Sequence, residues 1–252
     1  MAKLKPVAVR GASVGEGADE QATASAVRSM FAAVAPRYDL LNHLLSAGFD
    51  IRWRRATVKA LQRVLNKPSS VVVDLCCGTG DLALALRRAS AGSVMGADFC
   101  HPMLQRAREK SARFEGNTVF LEADTLRLPF RNGSVDALTI AFGFRNLANY
   151  RRGIQEMRRV LRPGGMVAIL EFSQVTWPVF GPLFRAYFRR VLPLLGAWIS
   201  GVQGPYQYLP DSVLRFPDQE ALGDLLREEG FSDVRYRNFT GGVAALHLGE
   251  RV

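Results

Sequence analysis

A glycine-rich turn after an apolar run carries the clearest chemical signal in the chain. Residues 71–81 have the sequence Val-Val-Val-Asp-Leu-Cys-Cys-Gly-Thr-Gly-Asp, with an acid at Asp74 and glycines at Gly78 and Gly80. Because glycine has no Cβ atom, the backbone of such a turn can approach a ligand closely and adopt dihedral angles that other residues resist. The run Gly78-Thr-Gly80-Asp-Leu-Ala83 also fits the loose dinucleotide pattern. This turn alone therefore does not separate NAD from S-adenosylmethionine as the ligand.

Further acids end two later strand-like runs. Residues 93–98 end in Asp98, eighteen residues after the second glycine, where a carboxylate can accept hydrogen bonds from both ribose hydroxyls of either ligand. Residues 118–124 end in Asp124, where a carboxylate can receive an adenine amino group. Any one of these acids is equally well explained as a helix N-cap or a solvated turn residue. Together with Asp74, however, they place three acids on the carboxyl edge of one sheet, which favours a ligand site.

The elements that must position these acids follow a doubly wound α/β pattern. Strands are predicted at 71–74, 93–98, 118–124, 135–142 and 166–172, and a helix is predicted over 150–161. Two alternating segments around Gly241-Gly242 predict a β-hairpin, which puts an antiparallel strand on the edge of an otherwise parallel sheet. We expect a Rossmann-like α/β fold with a mostly parallel seven-stranded sheet. The ending suits a class I methyltransferase better than a dehydrogenase.

Several motifs follow one another in the order typical of one enzyme family. They are Tyr38-Asp39, Trp53-Arg-Arg55, the glycine loop, Phe142-Gly-Phe-Arg-Asn146, Arg162-Pro-Gly-Gly165, Tyr206-x-Tyr208-Leu-Pro and Thr240-Gly-Gly-Val-Ala-Ala-Leu-His247. From about Met30 onward the chain resembles the ubiquinone and menaquinone biosynthesis C-methyltransferases. The resemblance implies S-adenosylmethionine as methyl donor and a polyprenylated quinol as acceptor. The Cys76-Cys77 form of the loop favours demethylmenaquinol over the benzoquinol of ubiquinone biosynthesis.

The resemblance also implies a donor site. The expected cofactor-binding residues are Asp74, Gly78, Thr79, Gly80, Asp98, Asp124 and Thr125. One further donor contact in this family is often a serine before Phe-Gly, and here that position is Ala141. The missing hydroxyl leaves this contact to backbone groups.

The implied reaction places a requirement on the acceptor side. A quinone ring is electrophilic, so the acceptor must be the reduced quinol, whose ionised hydroxyl loads electron density onto the adjacent ring carbon. A nearby cation lowers the pKa of that hydroxyl, and an apolar cleft strengthens the effect. Arg145 is the candidate cation, directly or through a water, with Asn146 orienting the ring oxygen and Tyr38 closing over it. The alternatives are that Arg145 pairs with a carboxylate at the sheet edge and that Tyr38 is a packed aromatic.

Composition and cysteine usage set the broad class of the protein. With 252 residues, 48% of them hydrophobic, the chain can build one sizeable core and is expected to form a single domain. Cys76 and Cys77 are adjacent, which is too close for ordinary disulfide geometry, and they indicate a reducing cytoplasm. His43, His101 and His247 lack metal-ligand spacing, so we expect no metal site. All three are expected to be structural or surface residues, with His247 near enough to the last strand's end to approach the acceptor.

The ends of the chain and one long segment bear on its location. Residues 1–26 lack apolar periodicity and predict a flexible tail before a methyltransferase domain at 27–252 with an N-terminal helical cap. Neither a signal-peptide core nor a run of ~18 apolar residues occurs, which predicts a cytoplasmic protein. A helical lid insertion is expected at about 176–212, where residues 177–199 are rich in aromatics, leucines and arginines. This segment suits a cover over the acceptor, contact with the inner face of the cytoplasmic membrane, or both.

A net charge of +10 leaves other classes of function to weigh. Excess lysine and arginine can neutralise phosphates, which would suit an RNA methyltransferase. The arginines are nevertheless dispersed along the chain without an appended RNA-binding module, so no nucleic-acid partner is expected. A dehydrogenase would need a hydride-transfer acid, and the sequence offers no evident one. Whether the enzyme forms a homodimer is left open.

Overall fold

A computed structural model of the chain describes residues 11–12, 19–39, 46, 48–113, 118–177 and 204–252. The helices are α1 Glu20–Val34, α2 Phe49–Ala60, α3 Gln62–Leu65, α4 Asp81–Ala89, α5 His101–Ser111, α6 Tyr150–Val160, α7 Gly204–Arg215 and α8 Gln219–Glu228. The strands are β1 Val71–Leu75, β2 Ser93–Asp98, β3 Val119–Glu122, β4 Val135–Ala141, β5 Leu161–Phe172, β6 Phe231–Phe239 and β7 Ala244–Arg251. Short 3₁₀ turns lie at Ala35–Arg37, Phe144–Asn146 and Thr240–Gly242.

The strands form one seven-stranded sheet in the order β3-β2-β1-β4-β5-β7-β6. The pairs among β1 to β5 are parallel, and β7 runs antiparallel to both β5 and β6. The predicted fold class is therefore confirmed. The expected position of the antiparallel strand was wrong, because β7 lies inside the sheet and β6 forms the edge. The cause is polarity, since residues 244–247 of β7 are buried whereas most of β6 is exposed.

The sheet is covered by helices on both faces, as the continuous apolar runs of its parallel strands require. Val72 and Val73 of β1 are both fully buried but belong to different core clusters. Val73 packs in the cluster that contains residues of α6 and α8, and Val72 packs with residues of α2, α3 and α4. The parallel strands are thus held rigidly, so the loops at their carboxyl ends have a fixed support.

Helix α1 begins within the predicted tail, at Glu20. The Asp19 carboxylate accepts a hydrogen bond from the Ala22 amide and caps a helix that starts at Glu20. Val27 and Val34 of this helix are buried. Residues 20–26, which were assigned to the flexible tail, are therefore helical.

The predicted lid is described only at its two ends. Residues 173–177 follow β5 without regular structure, and α7 covers residues 204–215. Residues 178–203, which include most of the aromatic and arginine-rich segment, lie outside the described residues. His43 also lies outside them.

The order of the strands places a crevice above β1 and β4. From β1 the chain proceeds outward through β2 to β3 and then returns to add β4 on the other side of β1. The helices that follow β1 and β4, which are α4 and α6, therefore pack on opposite faces of the sheet. In open α/β sheets, ligands bind in the crevice that this reversal opens at the carboxyl ends of the strands.

Candidate active site

The glycine loop after β1 needs its two glycines for different reasons. Gly80 has a φ of 85°, and a Cβ atom there would lie 3.1 Å from both the Phe120 ring and the Ala107 Cβ atom. Gly78 has a φ of 55°, and among the described residues a Cβ atom there would have one neighbour within 4 Å, Cε1 of Tyr38 at 3.7 Å. Gly80 thus allows β3 and α5 to pack against the loop, whereas Gly78 faces the space beneath Tyr38.

Asp98 ties the end of β2 to this loop. Its Oδ2 atom accepts a hydrogen bond from the Gly78 amide at 2.8 Å, and its Oδ1 atom accepts one from the Cys100 amide at 2.8 Å. Burial raises the pKa of the Asp98 carboxyl to about 6, although these amides oppose the shift. Each carboxylate oxygen can accept more than one hydrogen bond, so the pair of ribose hydroxyls of a nucleoside fits here.

Asp124 and Thr125 lie beyond the end of β3. Asp124 is exposed, and its Oδ1 atom accepts a hydrogen bond from the Leu126 amide at 2.9 Å. Its Oδ2 atom has no hydrogen-bond partner among the described residues, which leaves it available to an adenine amino group. Thr125 is buried, and its hydroxyl lies 3.4 Å from the sulfur of Cys76 in the glycine loop.

Asp74 lies beneath the loop and away from its surface. The side chain is 1% exposed and accepts a hydrogen bond from the Thr139 hydroxyl of β4 at 2.6 Å. Burial raises the pKa of Asp74 to about 7, and the Thr139 hydrogen bond opposes the shift. The carboxyl group therefore joins β1 to β4 and supports the loop from within the sheet.

Thr79, another expected donor contact, is already engaged by other side chains. It is 3% exposed, donates a hydrogen bond to Asp39 and accepts one from Lys110 at 3.0 Å. Neither partner was recognised from the sequence, because both are far from Thr79 along the chain.

The turn after β4 rests directly on the glycine loop. A Cβ atom at Gly143 would lie only 2.4 Å from the Cβ atom of Cys76, so this position requires glycine. The preceding residue, Phe142, has a φ of 58°, which is unfavourable for an aromatic residue. Such strain is characteristic of functional turns. The glycine of the Phe142-Gly-Phe-Arg-Asn146 motif is the sequence signal that could have indicated this contact.

Arg145 lies in this turn and forms a buried ion pair with Glu171 of β5. Its Nη1 atom donates to the Glu171 Oε1 atom at 2.7 Å and to the Phe142 carbonyl at 2.5 Å. Burial disfavours the charged form, but Glu171, with the hydroxyls of Tyr38 and Tyr208, outweighs it and raises the pKa of Arg145. The ion-pair alternative is therefore present in the structure. The acid at the end of β5 could have indicated the partner.

The other two expected catalytic residues lie beside Arg145. The Tyr208 hydroxyl donates a hydrogen bond to the Asn146 Oδ1 atom at 3.1 Å. Tyr38 packs edge-on against Phe31, with ring centroids 5.9 Å apart, and covers Gly78. Arg145, Asn146 and Tyr38 thus lie near one another, and Tyr208, so far named only as part of a motif, joins them.

His247 packs inside the fold, on the sheet. It pairs with Ile169 in the middle of β7, is 1% exposed, and its Nε2 atom lies 2.8 Å from the Gln219 carbonyl oxygen. Burial lowers its pKa. His247 is therefore a structural residue that joins β7 to α8.

The doubly wound sheet with its antiparallel β7, the glycine loop and the acids at the end of β2 and beyond β3 are together the features of a class I, S-adenosylmethionine-dependent methyltransferase. Solved structures agree on the fold. A methyltransferase of this class from Aquifex aeolicus aligns over 78% of this chain and 89% of its own, with a TM-score of 0.57 and 19% identity. Another from Thermotoga maritima aligns over 88% of this chain and 100% of its own, with a TM-score of 0.60 and 16% identity.

The particular family follows from sequence comparison. Residues 18–251 match the ubiE/COQ5 methyltransferase family, and the chain belongs to it. A demethylmenaquinone methyltransferase from Thermus thermophilus is 52% identical over 88% of this chain and 100% of its own length. One from Deinococcus radiodurans is 47% identical over 92% of this chain and 95% of its own. The chain is therefore a methyltransferase that uses S-adenosylmethionine, which confirms the family and donor predicted from the sequence.

Proposed function

We propose that this enzyme methylates a ring carbon of demethylmenaquinol to give menaquinol in menaquinone biosynthesis. The names of its relatives from Thermus and Deinococcus support a naphthoquinol acceptor. A relative from a Geobacter species, 44% identical over 89% of this chain, is named ubiquinone/menaquinone biosynthesis C-methyltransferase. The corresponding benzoquinol step is therefore the alternative.

The observation that carries this proposal is an unsatisfied donor on Arg145. Its Nε atom is buried and has no hydrogen-bond partner among the described residues. A buried polar group without a partner costs about 1–3 kcal/mol. An oxygen of the quinol, or a water between the two, would satisfy it.

This placement supplies what the chemistry demands of the protein. Bound S-adenosylmethionine provides an electrophilic methyl group, so the protein must favour an electron-rich acceptor ring. A guanidinium hydrogen-bonded to the ring hydroxyl favours its ionised form in a cleft of low polarity. Glu171 offsets part of the positive charge, so the effect of Arg145 depends on this directed hydrogen bond as well as on its charge.

Asn146 and Tyr38 would orient the ring. Because Tyr208 holds the Oδ1 atom of Asn146, the amide nitrogen of Asn146 is turned away from Tyr208 and can donate to a ring oxygen. Tyr38 lies over Gly78 and would close the crevice on the donor side. We assign the donor itself to the loop at residues 78–80, to Asp98, and to Asp124 with Thr125, all supported by Asp74.

Transfer of labelled methyl from S-adenosylmethionine to chemically reduced demethylmenaquinol tests the proposal. The oxidised quinone and a demethylated benzoquinol serve as parallel acceptors. Methylation of the reduced naphthoquinol alone is the expected result. Methylation of both quinols would show that the enzyme can serve menaquinone and ubiquinone biosynthesis alike. Intact donor binding without transfer to either quinol would overturn the acceptor assignment.

We further propose that the enzyme meets its polyprenylated acceptor at the inner face of the cytoplasmic membrane. Within the described ranges, no helix has the length and apolar character needed to cross a bilayer. The net charge of +10 and the exposed Trp177 support contact with an anionic surface. Sedimentation with anionic vesicles but not with neutral ones is expected, and equal binding to both would contradict electrostatic contact.

A homodimer stays an open prediction that light scattering would decide.

Arginine pairing argues against the RNA alternative. Arg151 contacts Glu228 and Glu229, and Arg159 contacts Glu156. Arginines that are engaged with acids within the fold contribute less to a phosphate-binding surface. We therefore propose no nucleic-acid partner, and methyl transfer to unrelated RNA with steep salt dependence would contradict this.

A further inference from the structure

Lys110, in the last turn of α5, connects three separate parts of the donor side. Its Nζ atom lies 2.5 Å from the Asp39 Oδ2 atom, 2.7 Å from the Asp81 Oδ1 atom and 3.0 Å from the Thr79 hydroxyl. Asp39 belongs to the N-terminal segment, by which we mean residues 19–39. Thr79 belongs to the glycine loop, and Asp81 to the start of α4. Thr79 in turn donates to the second oxygen of Asp39. We call these four residues the Lys110 clasp.

We propose that Lys110 is a positioning residue that holds the N-terminal segment closed over the donor loop. Its usual role at this place would be to interact with the negative end of the helix dipole. Contacts with two carboxylates and a hydroxyl from three other elements go beyond that role. The side chains of Lys110, Asp39 and Asp81 are 25%, 32% and 26% exposed, so water screens them only in part.

Charge balance explains why the clasp would open without Lys110. The carboxylates of Asp39 and Asp81 both lie within 2.7 Å of one nitrogen atom, so they are close neighbours. Without the ammonium group, two negative charges would face each other between the N-terminal segment and α4. Arg54 approaches Asp81 only to 3.7 Å and is itself paired with Asp50. Repulsion would therefore move the N-terminal segment away.

The segment that would move carries Tyr38. Tyr38 is the neighbour of Asp39 in the chain, and its ring would lie 3.7 Å from a Cβ atom at Gly78. The position of Asp39 thus determines how Tyr38 covers the loop. Through this connection Lys110 couples donor binding to the residue that closes the crevice over the donor loop.

The test compares Lys110→Met and Lys110→Arg with Lys59→Met, whose lysine is exposed on α2. One measurement is the Kd for S-adenosylhomocysteine by calorimetry. The other is the rate at which a maleimide labels Cys76 and Cys77 in the cofactor-free protein, with the buried Cys100 as a marker of unfolding. For Lys110→Met we expect a Kd about tenfold higher and faster labelling of Cys76 and Cys77 alone. Lys110→Arg should restore both values, and Lys59→Met should match the wild type.

A second substitution separates repulsion from a general loss of stability. Asp39→Asn in the Lys110→Met protein keeps an oxygen for Thr79 but removes one of the two facing charges. We expect it to return the Kd and the labelling rate toward wild-type values. A further loss in the double variant, or wild-type behaviour of Lys110→Met, would overturn the proposal. If Lys110→Met does not fold, Asp39→Asn alone is the test, because it removes the ion pair between residue 39 and Lys110. We expect this variant to be labelled faster at Cys76 and Cys77, and an unchanged labelling rate would overturn the proposal.

Discussion

Glu171 holds Arg145 from two directions at once. One carboxylate oxygen accepts the backbone N–H of Arg145 at 3.1 Å, and the other accepts its guanidinium at 2.7 Å. The carboxylate therefore holds the backbone of the turn after β4 and also compensates the positive charge of the Arg145 side chain. A substitution of Arg145 alone would remove the guanidinium and also disturb the turn. Its effect on activity could therefore not be assigned to either cause.

Replacing both partners separates the two effects. Arg145→Ala alone leaves a buried carboxylate uncompensated, which costs about 3–5 kcal/mol. In the double variant Arg145→Gln/Glu171→Gln both charges are gone and polar contacts are retained. We expect it to fold and to bind S-adenosylhomocysteine nearly as well as the wild type, while methyl transfer falls by about 100-fold or more. Full turnover with donor bound would show that Arg145 is purely structural.

Tyr208→Phe tests whether Asn146 orients the acceptor. The variant loses the hydroxyl that donates to Asn146, and a hydrogen bond of this kind is worth about 1 kcal/mol. We expect the KM for the quinol to rise about fivefold while the KM for the donor stays the same. Tyr236→Phe is the matched control, because its hydroxyl contacts Glu220 on the exposed side of α8. Equal effects of the two substitutions would contradict the assignment.

Gly143→Ala tests the contact between the turn after β4 and the glycine loop. The new methyl group would lie 2.4 Å from the Cβ atom of Cys76, so backbone must move. Overpacking of this kind typically costs about 1–3 kcal/mol, and donor affinity should fall with it. Gly223→Ala is the control, because the three atoms nearest to its methyl would all belong to the flexible end of Arg227, and alanine favours a helix. Urea unfolding and calorimetry of both variants would show whether only Gly143 is intolerant.

The buried carboxyl of Asp74 predicts how stability depends on pH. Its pKa is about 7 in the folded protein and 3.8 in the reference state, so the folded chain binds more protons than the unfolded chain between these values. The Asp74 contribution to stability therefore decreases as pH rises through this range. Between pH 5.5 and pH 8 the free energy of unfolding of Asp74→Asn should rise relative to that of the wild type by about 2 kcal/mol. Parallel pH profiles for the two proteins would show that Asp74 is not the titrating group.

Strands that are buried on both faces were predictable from the sequence, because they appear as continuous apolar runs. β2 occupies residues 93–98 as expected, because its apolar run is bounded by polar residues and ends in Asp98. The hairpin around Gly241 was also predictable, but a hairpin pattern does not tell which of its strands pairs with β5. β7 is the more apolar of the two strands, so it takes the buried position beside β5.

The site was predictable where chemistry and spacing coincide in one short segment. The glycine loop and Asp98 belong to this group. The partners that complete the site come from distant parts of the chain, as Lys110 does for Asp39 and Glu171 for Arg145. An acid or a lysine at such a position has ordinary explanations, so only the folded geometry distinguishes its role.

The interior position of β7 also determines when this protein can fold during its synthesis. β5 ends at Phe172, yet the strand that pairs with its outer edge is residues 244–251. A growing chain on the ribosome therefore presents an unpaired strand edge, the kind of surface on which chains aggregate, until those residues have emerged. A chain released before them would leave the outer edge of β5 unpaired and β6 without β7, the strand with which it pairs. We therefore expect such a product to aggregate, and a complete sheet to form only after translation has continued through β7.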